Sequence, residues 1–151
     1  MRTVQNIINS KPKPSNVISS QSLVLDALTL LDSVNLSYLI VMDGNEFEGI
    51  FSERDYTRNV ILKGRASNST KIADVMSVDI PKVIVTDTVE DCMNMINLHK
   101  TRYLLAYDDD QFVGVITIHD LLRQVIASRE DVFNQKLTNS LIDYDEGSRI
   151  Y

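Results

Sequence analysis

A chain of 151 residues that is 44% hydrophobic can bury one compact core or two very small ones. Fifteen basic against twenty-one acidic side chains give a net charge of −6, which opposes long-range attraction to nucleic acid or to an anionic membrane, so an anionic ligand must be held by local arginines. A single cysteine, Cys92, excludes an internal disulfide framework and leaves too few thiols for a thiolate zinc site or a CxxC redox pair, which makes a small core residue its expected role.

The amino-terminal MRTVQNIINSKPKP lacks the apolar core of a secretory signal, and no apolar run approaches the roughly 18 residues that span a bilayer. The expected compartment is the cytoplasm. Val4, Ile7 and Ile8 predict a short amphipathic helix, ended by the two prolines of KPKPS, so residues 1–16 form a lead-in. From 17 to 62 the periodicity changes in a fixed order. A short strand at Val17–Ser19 precedes a helix with Leu23, Ala27, Leu30 and Val34 on one face and Ser22 as its N-cap. Two apolar strands follow, YLIVM and FEGIF, joined by the turn Asp43-Gly44-Asn45, and then a polar joint opens a second helix at about Glu53–Leu62.

Residues 63–77, KGRASNSTKIADVMS, read as a linker with one or two helical turns at Lys71–Met76. From 78 to 128 the pattern returns: a strand at Val83–Val85, a helix capped by Asp87 with Val89, Cys92, Met93 and Ile96 inward, strands YLLAY and FVGVI around Asp108-Asp109-Asp110, and a helix from Ile118 to about Ser128. The tail, 129–151, carries Val132, Phe133, Leu137, Leu141 and Ile142 at near-helical spacing, suited to packing on a partner, and its last residues are expected to fray. Ile18–Ile61 aligns without a gap to Val83–Ile126, an offset of 65 residues with eleven of 44 positions identical. Each copy is one supersecondary unit that buries its apolar face with its twin.

The joints carry the chemistry. Ser52-Glu53-Arg54-Asp55 and Thr117-Ile118-His119-Asp120 are capping boxes, in which a hydroxyl accepts from the backbone three residues on and the acid reaches back. The same residues suit a binding site: a helix N-terminus favours an anion, and an outward acid can accept both hydroxyls of a diol. Periodicity leaves both readings open. Gly49 and Gly114, in apolar strands, mark places where another backbone or a ligand approaches closely. Arg54, Arg58, Arg65, Arg102 and Arg123 surround the joints, and guanidinium forks suit phosphate oxygens. Arg123 has the weakest claim, because three residues past the acid it is expected to point along the helix.

The order strand, helix, strand, strand, helix occurring twice, with G-h-h-[ST]-x-x-D at each joint and IADVM between the copies, resembles a tandem pair of CBS domains over about Val17–Ser128. Val41–Ser67 is similar to small stand-alone CBS-pair proteins with an FSERDY…KGR segment. The resemblance implies an α+β fold of two β-α-β-β-α units related by a pseudo-twofold axis in one disc, with two clefts for adenosine-containing ligands. It implies ribose contacts from Asp55 and Asp120 with Ser52 and Thr117 nearby, and phosphate contacts from Arg54, His119 and Arg102, with Arg58 and Arg65 as further candidates. It implies adenine contacts around Ile18–Ser20 and Val83–Val85, with Tyr38 or Tyr103 near the base. AMP, ADP, ATP and NAD are the implied ligands, and a homodimer contacting through Tyr56, Val60, Ile61, Leu122, Val125 and Ile126 is the implied assembly. Because histidine is only partly charged near neutral pH, Arg54 against His119 favours the Ser52/Asp55 cleft for the more highly charged ligand.

These readings point to a regulatory adenine-nucleotide module that reports energy or redox state to a separate protein, with a ligand-free structural dimerisation module as the alternative. No enzyme is expected and no catalytic cofactor. His99 and His119 lack a triad partner or metal-ligand spacing, Ser52 lacks a nucleophile elbow, and GRASNS lacks a Walker lysine.

Overall fold

A computed structural model describes residues 2–128 together with 137, 140 and 141. The chain divides into two compact units, Lys13–Asp79 and Met1–Pro12 with Ile80–Tyr151. Each unit is α+β and holds one three-stranded mixed sheet. In the first, β1 (Val17–Ile18) pairs parallel with β2 (Tyr38–Asp43), which pairs antiparallel with β3 (Glu46–Ser52). In the second, β4 (Lys82–Ile84), β5 (Tyr103–Asp108) and β6 (Gln111–Thr117) repeat the order and the register, with the same irregularity in the antiparallel ladder.

A parallel pair needs a crossover, and a helix supplies it in each unit: α2 (Val24–Val34) and α4 (Val89–His99). Both helices end on a left-handed residue at the same place in the repeat, Asn35 at φ 54° and Lys100 at φ 52°. The α4 face is the expected one, whereas α2 buries Val24, Ala27 and Leu31, keeping Ala27 of the expected stripe and replacing Leu23 and Leu30 by their next neighbours. The expected caps also move. Thr88, not Asp87, caps α4 by accepting from the Asp91 N–H, and Asp87 instead accepts from the Ile84 N–H at 2.9 Å. The N-cap of α2 is Leu23, without a side-chain bond, in place of Ser22.

The second helices differ between the copies. After Glu53–Asp55 (α3) the first continues as a π-helix over Tyr56–Ile61, whereas α5 (Ile118–Ser128) is α-helical. The wider π turn is closed at its end by Arg65, whose guanidinium donates to the Asn59 carbonyl at 2.6 Å and whose N–H donates to the Val60 carbonyl at 2.9 Å. Val60 is fully buried in its own unit, so it is withdrawn from any dimer surface.

The segments read as lead-in and linker are structural parts of the units, each in the copy that does not follow it in sequence. The helix α1 (Val4–Ser10) docks on the second copy through Val4 N–H to Asp87 carbonyl (2.9 Å) and Gln5 N–H to Val85 carbonyl (3.0 Å). The Ile72–Asp74 turn docks on the first copy by the matching bonds, Ile72 to Ser22 and Ala73 to Ser20, both 2.9 Å. VQNIIN and IADVMS are therefore equivalent, although the spacer from Ile8 to Ile18 is three residues longer than that from Met76 to Val83. This insertion hides the pair from an ungapped comparison.

Both strand glycines lie against these docked segments. A Cβ on Gly49 would lie 2.8 Å from the Ser77 carbonyl and from the Met76 sulfur, and one on Gly114 would lie 2.8 Å from Ile8 Cδ1. Leu141 is fully buried in the core of the second unit and Leu137 packs against it, so these two tail residues cover their own chain instead of a partner. The expectations for Val132, Phe133, Ile142 and the frayed end lie outside the described residues. No helix among the described residues is long and apolar enough to cross a membrane. Because a backbone carbonyl cannot yield as a side chain does, Gly49→Ala is expected to lower unfolding free energy by about 1–3 kcal/mol, read from denaturant unfolding.

Candidate functional site

At the first joint the capping box is complete. Asp55, 7% exposed, accepts at Oδ2 from the Ser52 N–H and hydroxyl, both 2.9 Å, and the Ser52 oxygen accepts from the Asp55 N–H at 3.2 Å. The other carboxylate oxygen accepts from the Ser77 hydroxyl at 2.6 Å. Both Asp55 oxygens therefore face donors of their own unit, and the acid is folded back instead of standing outward. The Ser77 backbone also pairs with Ile50, donating to its carbonyl at 2.8 Å and accepting from its N–H at 2.9 Å. That bridge covers the edge of β3.

The second joint repeats the cap and changes its surroundings. Asp120, 3% exposed, accepts at Oδ2 from the Thr117 N–H at 2.9 Å, and its N–H donates to the Thr117 hydroxyl at 3.2 Å. Here the donors from outside the cap are cations. Lys11 Nζ reaches the same Oδ2 at 2.8 Å and the Val115 carbonyl at 2.8 Å, while Arg123 donates to Oδ1. A cavity of about 240 Å³ opens beside this cluster, lined by Lys11, Asp120, Arg123 and Gln124 with Ile7 and Pro12 among its apolar walls. The Gln124 amide oxygen is buried and has no hydrogen-bond partner among the described residues. A carboxylate suits a diol and two cations suit a phosphate.

Arg123, the weakest arginine by sequence, thus lies in the cluster because one turn of helix returns it over the acid. Lys11 escaped the sequence reading altogether, since the segment that carries it belongs with the second copy. Arg54, Arg102 and His119 are half-buried, whereas Arg58 is exposed. Arg65 is bound to the end of the π-helix, away from the phosphate role expected for it. Tyr38 and Tyr103 stand opposite Ser52 and Thr117 in the ladders, which brings each ring beside a joint.

The leading strands offer less than expected. Val83 is 3% exposed and belongs to the core, because side chains alternate across a strand, so Lys82 and Ile84 hold the open face instead. Val85 and Ile18 pack against the cores of their own units. Ser20 is buried and donates to Glu48 at 2.9 Å. Burial pushes the Cys92 thiol up to about 12, with the negative charges of Asp87 and Asp91 adding to the shift. No group of three metal-ligating side chains occurs among the described residues.

The CBS domain family model matches residues 72–127. A CBS domain-containing mitochondrial protein of Arabidopsis thaliana, CBSX3, is 28% identical over 138 residues, covering 85% of this chain and 67% of that protein. A solved protein with CBS domains from Burkholderia ambifaria superposes with a TM-score of 0.75 at 31% identity, over 87% of this chain and 99% of its own. CBSX2, solved in complex with AMP, superposes with a TM-score of 0.69 at 23% identity, over 86% of this chain and all of its own, 100%.

A thiol held this far from ionisation does not attack an alkylating reagent. Native protein at pH 8 is expected to leave Cys92 unmodified by iodoacetamide, with stoichiometric labelling on unfolding, read by intact mass.

Proposed function

Because the chain belongs to the CBS-domain family, we propose that it is a regulatory module that takes an adenine nucleotide at its second joint and passes the occupancy to a separate protein. The observation that carries this reading is the cavity beside Asp120, where a carboxylate and two cations meet. At about 240 Å³ the cavity is smaller than the ~300–1,000 Å³ of sites for drug-sized ligands, which fits the ribose-phosphate end of a nucleotide. Support comes also from CBSX2, a protein of the same fold solved with AMP. AMP, ADP, ATP and NAD share that ribose-phosphate end. The role is sensing without catalysis of its own, and affinities of micromolar to millimolar order, about 4–8 kcal/mol, suit abundant metabolites.

The first joint favours the structural reading. Both Asp55 oxygens are occupied by hydroxyl and backbone donors, and one of these, Ser77, is fixed by a two-bond bridge to β3. We therefore favour the second joint for the more highly charged ligand, because Lys11 and Arg123 stand there, over the Ser52/Asp55 cleft expected from Arg54 against His119. A homodimer is proposed through the ends of the second helices, which leave Ile61, Leu62 and Ile126 exposed at 55%, 72% and 76%.

Saturating AMP, ADP, ATP or NAD, at about a hundredfold above Kd, is expected to stabilise the protein by about 2.7 kcal/mol in a thermal-shift series. Asp120→Asn removes the response, whereas Asp55→Asn lowers the melting temperature and keeps it. No shift with any of the four at millimolar concentration overturns the nucleotide reading. Sedimentation velocity is expected to show a dimer for the unmodified chain and a monomer for Ile126→Glu; an unchanged species in the variant removes that helix end from the interface.

A further inference from the structure

The two joints satisfy the same pair of acceptors by different means. In the first unit the Ile50 carbonyl and the Asp55 carboxylate are served by the N–H and the hydroxyl of Ser77. In the second unit the matching Val115 carbonyl and Asp120 carboxylate are both served by one ammonium, that of Lys11, at 2.8 Å each. The spacer after α1 is three residues longer than its counterpart, and Lys11 lies within it. The Ser77 hydroxyl is tethered beside Asp55 by the two main-chain bonds between Ser77 and Ile50, so it cannot move far from the carboxylate without unzipping the sheet edge. A lysine can leave by rotating its stem, and the Lys11 side chain is 28% exposed while that of Asp120 is 2% exposed.

We propose that Lys11 is an exchangeable internal ligand of the second joint: it holds Asp120 when the cavity is empty and passes to the phosphate of a nucleotide when the ribose diol takes the carboxylate. The inference rests on the nucleotide reading above and adds what that site discriminates. A nucleoside without phosphate has to displace the ammonium from a buried carboxylate and offers it no acceptor in return. A nucleotide supplies the acceptor within reach, beside Arg123 on the same wall. The second joint therefore responds to phosphorylated ligands over the bare nucleoside, although the group that binds the sugar is common to both.

The test is calorimetric titration of the full chain with AMP and with adenosine, for the unmodified protein, Lys11→Met and Lys11→Arg. The unmodified protein is expected to bind AMP at least tenfold more tightly than adenosine. Lys11→Met is expected to bind adenosine more tightly than the unmodified chain does and to reduce the AMP preference at least fivefold, while Lys11→Arg retains it. If AMP binds and Asp120→Asn abolishes binding, but Lys11→Met leaves the preference unchanged, the lysine proposal is overturned and the nucleotide reading stands. Equal affinity of the unmodified chain for the two ligands overturns it without any variant. Absence of binding by either ligand overturns both.

Discussion

A buried carboxylate at each strand-to-helix joint is the constraint on which the remaining organisation depends. It closes the first turn of a helix by accepting from the backbone three residues before it, and it also accepts from a segment distant in sequence, 22 residues away at Asp55 and 109 at Asp120. A carboxylate that is 7% or 3% exposed needs such donors, because an ion removed from water without them is strongly disfavoured. The joint therefore selects which stretch of chain closes each unit. The glycine six residues before Asp55 completes the selection there, since a Cβ would meet the Ser77 carbonyl, while at Gly114 the neighbour is the end of the Ile8 side chain.

From this constraint follows an exchange of segments between the copies. The stretch before the first copy completes the second, and the stretch before the second copy completes the first, with matching backbone bonds. Three extra residues in one spacer break the equivalence at its end. The consequence is chemical: where one copy closes with main chain and a hydroxyl, the other closes with a lysine beside an open cavity. A symmetrical repeat thus carries two unequal joints, one suited to holding the fold and one suited to exchanging a partner.

Much of the fold was legible because it is local. The hairpin turns, the paired strands and the helices after each joint follow from short-range periodicity and turn chemistry repeated at a fixed offset. The resemblance to CBS pairs rested on the same local motifs. Errors arose where a single position or a register decided the outcome. Val83 turned inward because a strand alternates its faces, and Val60 turned inward to the core of its own unit, as its counterpart Val125 also packs on its own core. Arg65 went to a carbonyl at the end of that same turn.

The sequence by itself determined two copies of a strand-helix-strand-strand-helix unit, each with an acid, a hydroxyl and a glycine at matching places. Those features are set by interactions within a few residues, which periodicity reports directly. Only the tertiary structure decided which distant segment meets which acid, and with that the charge around each joint. Lys11 lies 109 residues from Asp120, and its ammonium is brought there by α1 packing on the second core through Val4 and Ile7. No local signal encodes that meeting, because its driving force is the burial of an apolar helix face, which is indifferent to the lysine that follows it.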